Sequence, residues 1–236
     1  MEKDKNFLGT ESVGKLLLQL ALPTVAAQLI NMLYNIIDRI YIGHIPGNGA
    51  LALTGVGVCM PLIMIISAFA ALVGGGGAPH ASIAMGKNDL NTAEHILGNC
   101  FFLQILISII LTVILLFGNR TFLLAFGASE NTIEYAVNYM NIYAVGTIFV
   151  QLTLGMNMFI TTQGFAKTGM LSVLIGAVMN IVLDPLFIFT LGMGTAGAAL
   201  ATGLSQFISF CILLFMCNSR EECISIHPKK FKPTLA

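Results

Sequence analysis

Charge is what this sequence has least of. Lysine and arginine together number 11 and aspartate and glutamate 11, so 9% of the 236 residues are charged and the formal net charge is zero. Soluble domains carry about 25% charged residues, so an ordinary soluble domain is excluded. A nucleic-acid-binding surface needs a basic excess, so no nucleic-acid partner is expected. Cysteine is sparse and unpatterned: Cys59, Cys100, Cys211, Cys217 and Cys223 are odd in number and show neither CxxC nor Cys/His metal spacing. No disulfide framework follows from them, and within apolar runs they read as small packing hydrophobes. The histidines, His44, His80, His95 and His227, fall near the ends of apolar runs or outside them. That leaves no base at membrane depth for an intramembrane hydrolase, and the chain is not expected to be an enzyme.

What is present is apolar length. Hydrophobic residues make up 56% of the chain and its mean hydropathy is +0.87. Six apolar runs, approximately 16–42, 50–73, 96–117, 136–160, 170–191 and 196–217, are each long enough to cross a bilayer. The expectation is an all-α integral membrane protein, a single six-helix transmembrane lobe over 1–236 without an internal linker. The first run exceeds a signal-peptide core and has no small-residue cleavage site after it, so it reads as a retained membrane helix. With the N-terminus inside, the inner segments hold Lys3, Lys5, Lys15, Lys87, Lys167, Arg220, Lys229, Lys230 and Lys232, and the outer side only Arg39 and Arg120. The positive-inside rule then places both termini in the cytoplasm.

Polar residues inside the runs carry the functional signal. In the first run Thr24, Gln28, Asn31, Asn35 and Asp38 recur at spacings of 4, 3, 4 and 3, which keeps them on one helix face. Amides also join membrane helices through hydrogen bonds, but a row that ends in a carboxylate favours the wall of a wet cavity. Pro23 removes an N–H and is expected to kink this helix, while Arg39 lies off the polar face and is expected to snorkel to the outer interface. The second run closes on Gly74–Gly77. No GKS or GKT follows, so a hinge or a close helix crossing is expected rather than a phosphate cradle. Asn91 with Glu94, and Asn131 with Glu134, offer start signals for the next two helices. Asn119-Arg120-Thr121 is formally a glycosylation sequon and is read as chance. The fourth run carries Asn138, Asn141, Gln151 and Asn157 without a single stripe.

Only two of the eleven acidic residues, Asp38 and Asp184, fall inside apolar runs. A carboxylate there costs at least about 2.5–3.5 kcal/mol on insertion scales, so its default reading is functional. Asn180 precedes Asp184 by one helical turn, and Pro185 follows it and loosens the helix. Asp184 lies eight residues before Gly192, and Thr202 eight after Gly194. At 1.5 Å per residue both sit roughly 12 Å inside that hairpin turn. Asp38, Asn180, Asp184 and Thr202 are therefore expected to converge in the outer half of the bundle. Two carboxylates, an amide oxygen and a hydroxyl make an oxygen cage for sodium or a proton. The alternative is that Asp184 only locks helices through a buried hydrogen bond.

These residues carry a family resemblance. LALP around Pro23, YNIIDRIYIG around Asp38, NMFITTQG before the fifth run, MNIVLDPLFIF within it and GLSQ after Thr202 resemble the multidrug and toxic-compound extrusion (MATE) transporters over essentially the whole chain. Members are typically twelve-helix proteins made of two six-helix lobes, and this chain is similar to the N-terminal lobe. The resemblance implies sodium- or proton-driven antiport that exports lipophilic, often cationic, compounds by alternating access. It implies a cation site at Asp38, Asn180, Asp184 and Thr202 and bending of the first helix at Pro23, with no cofactor beyond the coupling ion. It also implies a second six-helix lobe, supplied by a C-terminal half, a separate partner or another copy of this chain in parallel. The tail HPKKFKPTLA resembles the connection between lobes. A bacterial or archaeal plasma membrane is the expected location. Sixteen Phe and twelve Met offer adaptable contacts to varied substrates. The rivals are a lipid-linked-sugar flippase of the same superfamily, which would want basic residues for phosphate, and a passive channel.

Overall fold

Seven α-helices and one π-helical turn make up residues 12–219, the part that the computed structural model describes. They are α1 (Val13–Gly43), α2 (Gly49–Val58), α3 (Met60–Gly86), α4 (Leu90–Ala125), α5 (Ile133–Thr162), α6 (Ala166–Pro185), the π turn Leu186–Thr190, and α7 (Thr195–Ser219). α2 with α3, and α6 with the π turn, each form one rod. The result is six spans long and apolar enough to cross a membrane, one for each apolar run. Lys3, Lys5, Arg220, Lys229, Lys230 and Lys232 from the orientation count, Cys223 and the tail HPKKFKPTLA lie outside the described residues.

The largest departure from the expected boundaries is at Gly74–Gly77. The helix does not end or hinge there: α3 runs through the four glycines and Pro79 to Gly86. A helical glycine costs about 1 kcal/mol relative to alanine, and here packing offsets it. A Cβ on Gly74 would meet Met158 Sδ at 2.9 Å and Gly155 Cα at 3.1 Å, and one on Gly77 would collide with Cys100 and Phe159. Gly74 and Gly77 form the close crossing of α3 with α4 and α5, while Gly75 and Gly76 face open space.

The α3–α4 connection shrinks accordingly to residues 87–89, and the cap of α4 is Asp89 rather than Asn91. The Asp89 carboxylate accepts hydrogen bonds from the Thr92 backbone N–H at 3.0 Å and the Thr92 hydroxyl at 2.6 Å. These bonds hold the Asp89 carboxyl below the ordinary carboxylate range. A carboxyl with a depressed folded-state pKa stabilises the fold above its unfolded value, and that contribution is lost as pH falls through the folded value. The cap should thus be intact at neutral pH and release only in acid. Asp89→Ala is expected to speed hydrogen exchange at the Thr92 and Ala93 amides at neutral pH; unchanged exchange would rule the cap out.

α5 likewise begins on Thr132, not Asn131. The Thr132 hydroxyl accepts from the Ser129 backbone N–H at 3.0 Å. Glu134 instead pairs with Arg120 at 3.0 Å on the surface. Asn119 of the sequon is buried in α4 and donates to the Asn141 side chain.

α5 is the axis of the bundle. Its span is 56% buried, against 11% for α1, and Glu134 in its first turn is its sole charged residue. It contributes to both apolar cores. One core gathers Ile42, Val56, Leu115, Met140 and Ile188, and the other Ala81, Leu97, Phe159, Phe210 and Leu213. α1 lies at the rim: of its described residues only Pro23, Asp38 and Ile42 are buried, and Leu22, Leu29, Met32 and Ile36 are exposed.

Candidate functional site

The site is built where α6 gives way to the π turn. Pro185 has no N–H to offer the Ile181 carbonyl, so the α-helical ladder cannot continue through it. The chain widens instead, and the Leu191 N–H donates to the Leu186 carbonyl at 2.9 Å. π turns of this kind often sit at functional positions. Gly192 and Gly194, at φ +65° and +57°, then reverse the chain into α7.

The convergence expected from depth is what the structure contains. Asn180 Nδ2 donates to Asp184 Oδ1 at 3.4 Å and to the Thr202 hydroxyl at 3.4 Å. The Thr202 hydroxyl in turn donates to the Ala198 carbonyl at 3.0 Å. Asp38 is buried where α1 packs against α6, on the side of Asp184. Asp184 is fully buried and Asp38 is 7% exposed. Three buried oxygens remain without a hydrogen-bond partner: Asp38 Oδ1, Asn180 Oδ1 and Asp184 Oδ2. An orphaned buried acceptor costs roughly 1–3 kcal/mol, and three that gather around facing carboxyls call for positive charge. The donors are all oxygen, which suits a hard monovalent cation or a proton. A softer transition metal would want His or Cys, and no group of three His, Cys, Asp or Glu is placed to hold a metal among the described residues.

Beside this site lies a cavity of about 350 Å³. α1 lines it with Thr24, Gln28, Asn31 and Tyr34, α5 with Thr153, Asn157 and Thr161, and α7 with Thr202, Ser205 and Gln206. None of its lining residues carries a charge. Asn180 and Thr202 belong to both the cavity wall and the carboxyl site. Gln28 and Asn31 thus face the cavity as expected. Asn35 does not: it is exposed, and its Nδ2 donates to the Asn31 carbonyl at 2.7 Å. Pro23 is buried just before the cavity-lining Thr24. Thr24 turns its hydroxyl onto the Leu20 carbonyl at 2.8 Å, in the turn where the proline breaks the backbone ladder. Arg39 also has a partner within the bundle. It is partly buried, and its guanidinium donates to the Met60 thioether at 2.7 Å.

The polar residues of the fourth run now separate. Gln151 donates to the Ile66 carbonyl at 2.8 Å, Asn141 is tied to Asn119, and Asn138 is exposed. Asn157 faces the cavity with Thr153 and Thr161, a row at spacing four. The row is visible in the sequence once threonine is counted with the amides. Tyr34 was also missed. It stands one turn before Asp38 on the polar face but reads as an aromatic.

The MatE family model matches residues 23–186, well over half of the chain, an interval that includes Pro23, Asp38, Asn180 and Asp184. The multidrug export protein MepA of Staphylococcus haemolyticus (strain JCSC1435) is 26% identical over 225 residues, which cover 95% of this chain and 49% of that relative. The crystal structure of a MATE protein in the bent conformation superposes with a TM-score of 0.89 at 26% identity, covering 100% of this chain and 52% of that one. A MOP superfamily transporter from Pyrococcus furiosus Vc1 (DSM3638) superposes with a TM-score of 0.88 at 27% identity and the same coverage. This chain spans about half the length of the curated relatives it matches. In fold and in sequence, it belongs to the MatE family.

Proposed function

We propose that this chain is the N-terminal lobe of a cation-coupled antiporter that exports lipophilic cationic compounds. The observation that carries the reading is the shared wall: Asn180 and Thr202 face an uncharged cavity on one side and two buried carboxyls on the other. Sodium or a proton at Asp38 and Asp184 would relieve the repulsion between the ionised pair and draw the outer end of α1 toward α6. Because α1 also supplies Thr24, Gln28, Asn31 and Tyr34 to the cavity, that movement reshapes the place where a compound sits. The cation drives the change only through its different affinity for the two shapes. Compound and cation thus exclude one another, which is antiport by alternating access.

The cavity favours this over a flippase for phosphate-bearing lipids, since no Lys or Arg lines it. MepA is a multidrug export protein, and export by the present chain is inferred from that likeness. The second wall of the compound site would come from another six-helix lobe, either a C-terminal half or a second copy of this chain. Both termini would face the cytoplasm of a bacterial or archaeal cell, with the lobe in the plasma membrane.

The test is energised efflux of a fluorescent lipophilic cation from cells that express this chain, alone and beside a second lobe, with and without Asp184→Asn. Efflux lost in the variant supports the reading. Coupled efflux that survives the variant overturns it. Among the cavity residues, Gln28→Leu is expected to leave cation binding intact and to weaken compound binding up to about tenfold, the worth of one or two polar contacts. Titration of compound fluorescence with the purified chain checks this.

A further inference from the structure

Two arginines fall among the described residues, and they are used differently. Arg120 pairs with Glu134 at the surface. Arg39 follows Asp38 on α1, is partly buried, and donates to a thioether, among the weakest acceptors a protein offers. Met60 is the first residue of α3, directly after the break at Cys59. The guanidinium is thus anchored at the junction of α2 and α3, one residue along α1 from Asp38. Asp38 Oδ1 has no hydrogen-bond partner, and the neighbouring guanidinium makes no ion pair with it.

We propose that Arg39 is a positioning residue that sets how tightly the Asp38–Asp184 site holds its cation, with Met60 keeping the guanidinium off the carboxylate. Held at Met60, the fixed positive charge repels an incoming cation and keeps binding loose enough for release. Freed from Met60, the guanidinium would fold onto Asp38 as a tethered cation and close the site. The inference rests on the reading of the two carboxyls as a cation site, and it extends that reading to a residue outside the oxygen cage.

The two arms of this arrangement predict opposite effects, which a purely structural role would not. The purified full chain is titrated in detergent with sodium chloride against choline chloride at constant ionic strength, and the sodium concentration for half-maximal thermal stabilisation is recorded. Arg39→Gln removes the repelling charge and should lower that concentration by at least about five- to tenfold, since a unit charge even about 12–17 Å away acts on that scale at an effective dielectric near 20. Arg39→Lys, which keeps the charge, should stay within about twofold of the parent. Met60→Leu should raise it about threefold or more, and adding Arg39→Gln to Met60→Leu should reverse that rise. A parent chain that responds to sodium while Arg39→Gln leaves the midpoint unchanged or raised overturns the inference and spares the reading beneath it. A parent that shows no response to sodium overturns the inference and leaves the proton as the one cation open to the reading beneath it.

Discussion

Asp184→Asn is expected to abolish coupled export and to weaken cation binding by about 10²–10³-fold. A carboxylate about 4 Å from the cation attracts it by about 4 kcal/mol at an effective dielectric near 20, and each 1.4 kcal/mol is a factor of ten. The substitution keeps the size of the side chain, and an amide oxygen can still accept from Asn180 Nδ2, so the helix contacts that place it persist. What disappears is the negative charge opposite Asp38. The expected picture is a chain that expresses, folds and melts near the parent temperature but loses its sodium- or proton-dependent stabilisation. Thr202→Ala removes one neutral ligand and should cost far less, about tenfold at most. If Asp184→Asn and Thr202→Ala weakened the site equally, charge would not be its organising feature.

Gly197→Val should disable the same site without touching a residue in it. A Cβ at Gly197 would stand 2.8 Å from the Phe187 carbonyl carbon, 2.9 Å from its oxygen and 3.0 Å from the Ile188 nitrogen. These are backbone atoms of the π turn, which cannot rotate aside as a side chain can. Either α7 retreats or the turn shifts, and both separate Asp184, just before the turn, from Thr202 on α7. Overpacking of this kind costs roughly 1–3 kcal/mol, which should lower the melting temperature, and sodium-dependent stabilisation should vanish with it. Gly203→Ala on the same helix is the control. Its added Cβ meets only the Gly146 Cα at 3.8 Å, an ordinary contact, and should change little. Equal behaviour of the two variants would show that the close approach at Gly197 does not hold the site.

The membrane spans and the carboxyl site were legible in the sequence for a common reason. A hydrocarbon surrounding penalises every misplaced polar group, so the positions of Asp38, Asn180 and Asp184 inside apolar runs carry information that a soluble core would blur. Their meeting followed from counting residues back from Gly192 and forward from Gly194. Helix ends were less legible. Gly74–Gly77 resembles a terminus because glycine disfavours helices in isolation, and only the tight approach of Gly155, Cys100 and Phe159 reveals why α3 continues. Asp89 was passed over as a cap because Asn91 and Glu94 offered the more familiar spacing. The contact of Arg39 with Met60 is invisible in the sequence because Met60 lies 21 residues away across a loop and looks apolar. Local spacing cannot report such a partner.

Under the proposed antiport, the length and exposure of α1 would bring the bilayer itself into play. Its 31 residues rise roughly 46 Å, against a hydrocarbon thickness of about 30 Å. A helix so much longer than the film it crosses must tilt or bend, at a modest cost for every ångström of mismatch. Because α1 buries so few side chains against the bundle, that cost competes directly with the pull of the cation on Asp38. Membrane thickness then acts as a third effector beside cation and compound. In vesicles of graded acyl-chain length the cation concentration for half-maximal response should drift steadily, with no change in any side chain.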